Sequence, residues 1–202
     1  MQTVEKAYAA LAERYIALFG SLESVAADDL ALIRRHLGAV AGPVVDVGCG
    51  PGHLTAYLQS LGVQVTGIDP VPEFISHAKS AYPETPFELG SLATLDAPAL
   101  GFSGILAWYS LIHLPPDRVD AVLADLRSAT APDARLVVGF FVGDEISAFD
   151  HKVFTAYRWP VDEYARRLTR AGFVEVERLE RPRDGDTRPH AAIAARAAYR
   201  VP

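Results

Sequence analysis

The sequence has little cysteine and no long hydrophobic run. Its 202 residues include one cysteine, Cys49, so no intrachain disulfide can form, which is consistent with a reducing compartment. No apolar stretch approaches the ~18 residues that a membrane span needs. The first residues carry Glu5 and Glu13 and lack the uncharged apolar centre of a secretory signal. These absences predict a cytoplasmic protein without a membrane partner.

Net positive charge is also absent. The formal net charge is −6, which argues against a nucleic-acid partner because such proteins usually present a basic face. The arginines are unevenly placed, since ten of the sixteen lie at or after Arg158. Two interpretations stay open, a patch for an anionic substrate or solvated surface. The six histidines show no metal-ligand spacing, so we predict no metal site.

Strand and helix patterns alternate along the chain. Short apolar or β-branched runs bounded by glycine and proline predict strands at residues 43–47, 63–68, 86–89, 104–109 and 134–141. Amphipathic patterns predict helices at residues 53–60, 72–81, 117–129 and 161–171. Such alternation predicts an α/β fold with a parallel sheet covered on both faces. Two final strands, 173–179 and 191–199, are predicted to form an antiparallel hairpin because their link is short.

The most specific local signal is the segment Val44–Gly52, which reads VVDVGCGPG. A buried strand runs into a glycine turn, where backbone N–H groups can approach a ligand closely. A dinucleotide fingerprint needs glycine at position 53, where this chain has His53, and the Gly-Lys-Ser/Thr of a phosphate-binding loop is absent. Gly-x-Gly-x-Gly after an acidic strand residue instead resembles the pattern of class I S-adenosylmethionine-dependent methyltransferases, in their small-molecule branch.

This resemblance implies a fold, a cofactor and a reaction. The fold would be a Rossmann-like sheet of seven strands in the order 3-2-1-4-5-7-6, mostly parallel, with the last strand antiparallel and helices on both faces. The single domain would comprise an N-terminal helical cap (1–38) and a Rossmann-like core (40–200). The cofactor would be S-adenosylmethionine, the product S-adenosylhomocysteine, and the acceptor an O, N or C nucleophile of a small molecule. Contacts to the cofactor are expected from Asp46, Gly48, Cys49, Gly50 and Gly52.

Two further turns are expected to hold the nucleoside. Asp69, followed by Pro70, ends the second predicted strand about twenty residues past the glycines, where a carboxylate can accept both hydrogen bonds of a ribose diol. A cap on the helix that starts at Pro72 is the alternative for this Asp. After the third strand, Ser91 stands where the family often has an acidic residue for adenine, so Ser91 and Leu92 are expected to hold that ring.

The fourth predicted strand ends in Trp108-Tyr-Ser110 and leads to His113. In the family this strand ends beside the methyl group, so Tyr109 and Ser110 are expected near the cofactor, and Trp108 is assigned to packing. His113 and Tyr109 are the candidate catalytic residues. For His113 two roles stay open, a general base or substrate contact, and a brace for the loop.

Residues 142–160 lack a clear period and are rich in aromatic residues. Long loops in compact domains are often lids, so we expect His151, Tyr157 and Trp159 to bind the acceptor; a docked helix over 149–157 is the alternative. At the N-terminus, helices at 3–19 and 24–36 are predicted. Most of the stripe of Tyr8, Leu11, Tyr15 and Phe19 is expected to be core, with one tyrosine, Tyr15, contacting the methionine part of the cofactor.

Three other functions are weighed against methyl transfer. The first is a cofactor-binding regulatory module without catalysis, which the same glycines and Asp69 would serve equally well. The second is an NAD-dependent oxidoreductase, which the glycine spacing disfavours. The third is a methyltransferase for macromolecules, which the acidic charge disfavours. The chain is expected to be a monomer or homodimer.

Overall fold

The computed structural model describes residues 3–91, 94, 97–99, 101–185 and 187–199. Its α-helices are α1 (Val4–Ala9), α2 (Ala12–Phe19), α3 (Ala27–Leu37), α4 (His53–Ser60), α5 (Pro72–Ala81), α6 (Pro116–Ser128) and α7 (Val161–Arg170). Its strands are β1 (Val44–Val47), β2 (Val65–Asp69), β3 (Phe87–Leu89), β4 (Phe102–Trp108), β5 (Thr130–Val142), β6 (Ser147–Phe149), β7 (Ala156–Trp159), β8 (Phe173–Arg181) and β9 (His190–Ala197). Within these ranges, no helix is long and apolar enough to cross a membrane.

The main sheet has the predicted order. Parallel pairs join β3, β2, β1, β4 and β5, and β9 then lies antiparallel between β5 and β8. In a count of seven strands, β8 is the sixth and β9 the seventh, which gives 3-2-1-4-5-7-6. The prediction of a mostly parallel, Rossmann-like sheet with an antiparallel last strand is confirmed. The carboxyl ends of β1, β2 and β4 therefore meet at one edge, where ligands bind in such folds.

Helices cover both faces of this sheet. On one face, Leu136, Val138 and Phe140 of β5 pack with side chains from α6 and α7. On the other face, Val137 of β5 packs with Leu32 of α3 and other buried residues of α3 and α4. Successive strand residues point to opposite faces, so a strand that is buried on both sides reads as a continuous apolar run. That is why the sequence alone indicated a parallel sheet.

The segment 142–160 contains a β-hairpin, so the helix considered over 149–157 is wrong. β6 and β7 pair antiparallel, and β7 joins the end of β5 in parallel through two pairs, Phe141 with Arg158 and Val142 with Trp159. The pairing of β4 with β5 ends at Gly139, whereas Phe141 still pairs with His190 of β9 on the other edge of β5. β7 therefore takes the edge of β5 that β4 leaves open, which the sequence period of the segment does not reveal.

The N-terminal segment is broken where one helix was predicted. α1 ends at Ala9 and α2 begins at Ala12, so the apolar stripe does not continue across residues 3–19. Leu11 and Phe19, expected in the core, are 37% and 43% exposed, whereas Ala12 is buried and packs against Val71 and Phe74. Tyr8 and Tyr15 keep contact with Phe74, at ring-centroid distances of 5.9 and 5.3 Å.

Candidate functional site

The glycine turn after β1 is held in a left-handed conformation. Gly48, Gly50 and Gly52 have φ of 70°, 53° and 89°, a region that costs residues with a Cβ about 1–2 kcal/mol. The amides of Gly48 and Cys49 both donate to the carbonyl of Ile68, at 2.8 and 3.0 Å. These bonds bind the turn to the end of β2. The loop is thereby fixed in place before any ligand arrives.

Two glycines of the turn have different surroundings. A Cβ at Gly52 would lie 2.7 Å from the Phe87 ring and 2.8 Å from Ala78, so Gly52 serves the close packing of the loop. A Cβ at Gly50 would meet nothing within 4 Å. The backbone of Gly50 therefore borders open space at the edge of the sheet, as a loop that approaches a ligand requires.

Asp69 is a buried carboxylate that lies against this loop. One of its oxygens accepts the amide of Gly50 and the other the amide of Val71, each at 2.9 Å. Burial raises its pKa to about 6, and these two bonds act in the opposite direction. A carboxylate has about four acceptor positions, so two remain for other donors. The bond to Val71, ahead of α5, also gives Asp69 part of the capping role that was the alternative.

Asp46 lies beneath the turn. It is 1% exposed, accepts the hydroxyl of Thr55 at 2.7 Å, and has its pKa raised to about 7 by burial. Cys49 packs on Ile75 and Phe87, as expected of a small filling residue, and burial raises the pKa of its thiol. In the part of the chain that the structure describes, no Arg, Lys or His lies within 4 Å of the carboxylate of Asp46 or Asp69. The site is thus suited to a cationic ligand.

The turn after β3 is only partly described. Gly90 donates its amide to the carbonyl of Asp69 at 3.1 Å, which brings this turn beside the ribose-binding candidate. Ser91 donates its amide to the hydroxyl of Thr94 at 2.8 Å and is half-buried. Pro70 is half-buried as well. Leu92, expected beside Ser91 at the adenine ring, lies outside the described residues.

The end of β4 faces the glycine turn from the other side. Ser110 has its Cβ 2.4 Å from the position that a Cβ on Gly48 would take, so the two segments are in contact. The Ser110 hydroxyl is buried without a hydrogen-bond partner among the described residues. A buried orphan hydroxyl has a physical reason if a ligand supplies its partner. Ser110 is therefore placed to contact a molecule held by the turn.

Tyr109, at the end of β4, packs on other aromatic rings. Its φ of 54° is unusual for a residue with a side chain, and such strain concentrates at functional sites. The ring packs at 5.2 Å from Phe141 and 6.1 Å from His190, and burial raises the pKa of its hydroxyl. Trp108 packs over Gly139, as its assignment to packing predicted. Tyr109 is thus a neutral wall of the space beyond β4.

His113 joins three parts of the chain. Its Nδ1 lies 2.8 Å from the carbonyl of Thr155, which only accepts, so Nδ1 carries the proton. In the neutral ring Nε2 is then an acceptor, and the Tyr8 hydroxyl donates to it at 2.9 Å. Burial lowers the pKa of His113, which favours this neutral form. Both ring nitrogens are engaged, which is the geometry of a brace between α1 and the β6–β7 loop.

Beyond His113 the aromatic side chains form a continuous wall. The His151 ring lies 5.4 Å from His113, 5.8 Å from Phe141 and 6.1 Å from Phe149, so the predicted acceptor residue His151 belongs to this wall. Burial and nearby positive charge lower its pKa to about 4. We use the name acceptor wall for Tyr109, Phe141, Phe149, His151 and His190.

The other two predicted acceptor residues point elsewhere. Trp159 is 2% exposed and packs edge-to-face on Tyr164, so its ring belongs to the core and is not part of the acceptor wall. Tyr157 lies on the same face of β7 as Trp159, is half-buried, and packs partly on the same core. Residues two apart in a strand share a face, and the face toward the wall carries Arg158.

Several site residues were missed by sequence reasoning. Tyr8 was grouped with the core, and Phe141 and His190 were not considered. Phe141 reads as an ordinary strand residue, and the hydrogen bond between Tyr8 and His113 joins residues 105 positions apart. No local pattern signals such pairs. Tyr15, chosen in place of Tyr8, packs 5.4 Å from it, and burial and then the charge of Asp69 raise its pKa to about 12.

Metal ligands are a separate question. In the described ranges, with their gaps at 92–93, 95–96, 100 and 186, no group of three or more His, Cys, Asp or Glu side chains is arranged to hold a metal ion.

Comparison with known proteins identifies the domain. A family model described as a methyltransferase domain matches residues 44–133. The O-methyltransferase cnsE of Penicillium expansum is 27% identical over 163 residues, which is 72% of this chain and 58% of that protein. The present chain thus spans little more than half the length of this curated relative.

Solved structures agree on the fold. The 1,6-didemethyltoxoflavin-N1-methyltransferase of Burkholderia thailandensis, crystallised with 1,6-didemethyltoxoflavin and S-adenosylhomocysteine, matches with a TM-score of 0.74 at 24% identity and covers 98% of this chain and 92% of its own. The [4+2]-cyclase SpnF matches with a TM-score of 0.77 at 16% identity and covers 96% of both chains. Because a cyclase shares the fold, the fold alone does not identify the reaction.

Proposed function

We propose that the chain is a member of the class I S-adenosylmethionine-dependent methyltransferase family and that it transfers a methyl group from S-adenosylmethionine to a small-molecule acceptor. The observation that carries the proposal is Asp69. It is a buried carboxylate with no cation within 4 Å among the described residues, and two of its acceptor positions are free beside the open face of Gly50. A ribose diol supplies two donors with the spacing that such a carboxylate accepts.

Each residue of the site has a different role in binding the cofactor. Gly50 lets the ligand approach the backbone of the turn, Asp69 holds the ribose, and Ser110 offers its orphan hydroxyl from the segment after β4. The negative charge of Asp69 favours a cationic ligand. When bound, S-adenosylmethionine supplies a methyl group on a positively charged sulfur. The positive charge of this cofactor is thus opposite in sign to the negative charge of Asp69.

The protein has to position the acceptor against the methyl group and to exclude water from the site. Displacement at a sulfonium methyl needs an aligned nucleophile more than a strong base. The geometry fits this need, since His113 has both nitrogens engaged and burial keeps Tyr109 protonated. We therefore propose His113 as a positioning residue that holds α1 against the β6–β7 loop. Tyr109 is proposed as a wall that orients the acceptor.

We extend the proposal to residues 142–160 as a cover over the acceptor. Two residue pairs join β7 to β5, and one further bond joins the Tyr157 amide to the Ile112 carbonyl at 2.8 Å. So few backbone bonds allow local opening without loss of the sheet. Hydrogen exchange in this segment is expected to be fast in the free protein and slow with S-adenosylhomocysteine and acceptor. Equal rates in both states would remove the cover from the proposal.

Calorimetric titration with S-adenosylhomocysteine tests cofactor binding, and a metabolite extract incubated with methyl-labelled S-adenosylmethionine tests transfer. We expect a rise in melting temperature, because a ligand bound only by the native state stabilises it, and a labelled small molecule in the extract. Absence of heat and of thermal shift at millimolar ligand would refute the proposal. Binding without any labelled product would favour the regulatory module, and a change in NADH fluorescence on mixing would favour the oxidoreductase.

A further inference from the structure

The arginines that crowd the last quarter of the chain differ in their partners. Nine of the ten are described, and six of these lie within 4 Å of a carboxylate: Arg166, Arg167, Arg170, Arg178, Arg181 and Arg196. Most of these six form exposed or partly exposed ion pairs, whereas Arg181 pairs with the buried Asp29. Among the described residues, no carboxylate lies within 4 Å of Arg158, Arg183 or Arg188. Ion pairs with described residues therefore do not explain the role of these three arginines.

Arg158 and Arg188 share one aromatic ring. The guanidinium carbon of each lies 5.1 Å from the centroid of Phe149, so the two cations cannot be farther apart than twice that distance. That upper limit is comparable to the Debye length, ~8–10 Å at physiological salt, beyond which exposed charges are screened from each other. Both side chains are half-buried, and salt screens such charges less. Two like charges so placed repel each other. Arg183 is exposed, and among the described residues it has no contact with the Phe149 ring.

Arg158 is also incompletely satisfied. Its Nε is buried without a hydrogen-bond partner in the part of the chain that the structure describes. Its aliphatic stem is fixed, because a Cβ on Gly143 would lie 2.5 Å from the Arg158 Cδ. A buried donor without a partner is destabilising, and guanidinium presents donors in a fork that matches a carboxylate. An anion would supply both the missing partner and the missing charge.

The ring below these cations belongs to the acceptor wall. Phe149 lies 5.2 Å from Phe141, which lies 5.2 Å from Tyr109 at the end of β4. Tyr109 directly precedes Ser110, which touches the glycine turn through Gly48. Ring contacts therefore run from Tyr109, which is next to Ser110 in the chain, to the ring that both arginines contact. A flat molecule that lies along these rings would have one end near the end of β4 and the other at the cations.

We propose that Arg158 and Arg188 form the anion-binding end of the acceptor site, and that the acceptor is a flat, conjugated carboxylate whose planar part packs on Phe141, Phe149 and Tyr109. This inference rests on the proposed function for the meaning of the word acceptor. The contacts of Arg158 and Arg188 with the Phe149 ring do not depend on that proposal. Of the two interpretations of the arginine-rich segment, the anion patch thus applies to these two residues and the solvated surface to most of the others.

Binding measurements with acids and their amides test the proposal. Protein saturated with S-adenosylhomocysteine is titrated at neutral pH with trans-cinnamate, 2-naphthoate and indole-3-carboxylate, and with the primary amide of each. The acid and its amide have nearly the same shape and differ in charge. We expect at least one acid to bind roughly tenfold more tightly than its amide, because charge-assisted hydrogen bonds are about twice as strong as neutral ones.

Three variants locate the effect. Arg158→Gln and Arg188→Gln are each expected to abolish the preference for the acid while S-adenosylhomocysteine binds as in the wild type. Arg183→Gln removes the same charge from an exposed position and is expected to keep the preference. Far-ultraviolet circular dichroism and melting temperature check that each variant is folded, and Arg158→Lys, which keeps the charge without the fork, is expected to retain part of the preference.

The outcomes separate the two proposals. If no acid binds better than its amide, or if Arg183→Gln loses as much as Arg158→Gln, the anion site is overturned even when the cofactor binds. If S-adenosylhomocysteine fails to bind, the proposed function fails, and the same titrations on the free protein still decide whether the two arginines select an anion. Methyl transfer to neutral acceptors alone would likewise sink the anion site and leave the methyltransferase proposal intact.

Discussion

The two sides of the candidate site are built in different ways. On the cofactor side, a glycine turn, the start of α4 and the carboxylate of Asp69 come from adjacent segments of one β-α-β unit, residues 44–69. On the acceptor side, Tyr109, Phe141, Phe149 and His190 come from four separate parts of the chain. The first side is specified by local backbone conformation and the second by long-range packing. A local site can be read from its spacing, whereas a packed site depends on the fold around it.

The two sides also differ in the sign of the charges that they carry. The cofactor side holds the buried acids Asp46 and Asp69, with no cation within 4 Å of either in the described ranges. On the acceptor side, no described carboxylate lies within 4 Å of Arg158 or Arg188, although Asp29 and Asp150 act on Tyr109 and His151 of the acceptor wall. The His113 ring lies between them and is kept neutral by burial. A cationic methyl donor and an anionic acceptor would each find the opposite charge. Their approach along the acceptor wall is then favoured from both ends.

The largest effect is expected from the core that anchors the acceptor side. Trp159→Ala removes a buried ring from contact with Tyr164 and should lower the free energy of unfolding by roughly 3–5 kcal/mol. Because the cofactor side is formed by other strands, affinity for S-adenosylhomocysteine in the folded fraction should stay within a factor of two or three. Chemical denaturation and calorimetry at low temperature measure the two quantities. A large loss of cofactor affinity with little loss of stability would join Trp159 to the binding site instead.

The glycine turn allows a sharper comparison within the cofactor side. Gly52→Ala places a Cβ against Phe87 and Ala78, so it should destabilise the protein by roughly 2–4 kcal/mol through strain and overpacking. Gly50→Ala has free space for its Cβ and should cost only the conformational strain of about 1–2 kcal/mol. That free space is where the ligand is proposed to approach, so Gly50→Ala should weaken S-adenosylhomocysteine more than its small loss of stability suggests. Equal losses of stability in both variants would contradict the distinction.

Much of the cofactor side, and of the sheet order, follows from the sequence because each piece has a local cause. Left-handed glycines, a buried β-branched strand and an acid at a strand end are visible within a few residues. The sequence does not predict the β6–β7 hairpin, because it forms on the edge of β5 that is left open where the pairing of β4 with β5 ends at Gly139. Likewise the break at Ala10–Leu11 moves Leu11 to the surface, and no proline or glycine marks it. Events that depend on a distant strand edge leave no local pattern.

Removal of the carboxylate that is proposed to bind the ribose should have an effect of intermediate size. Asp69→Ala deletes charge-assisted hydrogen bonds worth about 1.5–3 kcal/mol, so S-adenosylhomocysteine affinity should fall roughly ten- to a hundredfold. Asp69→Asn is a useful second variant, since its amide can accept only one of the two backbone bonds from Gly50 and Val71. Calorimetric titration measures both variants. An unchanged dissociation constant in folded Asp69→Ala protein would place the ribose elsewhere.

The same carboxylate predicts a pH dependence. Burial raises the pKa of Asp69 to about 6, so the free protein loses this charge as pH falls through that value. The proposed ribose bonds need the ionised form, and affinity for S-adenosylhomocysteine should therefore drop roughly tenfold from neutral pH to one unit below the pKa. His53, whose pKa burial lowers to about 4, stays neutral across this range. A profile that is equally steep in Asp69→Ala would assign the titration to another group, with Asp46 the first candidate.

The smallest expected effect decides between the two roles considered for His113. Tyr8→Phe removes the hydroxyl that donates to the His113 Nε2 and should lower the free energy of unfolding by about 0.5–1.5 kcal/mol. If His113 is a brace, the pH profile of kcat/KM keeps its midpoint, because no titrating group of the reaction has changed. If His113 is the base, loss of a donor to its neutral form raises its pKa and moves the acid limb to higher pH. We expect the unmoved profile, because the bonds to Tyr8 and Thr155 already engage both ring nitrogens.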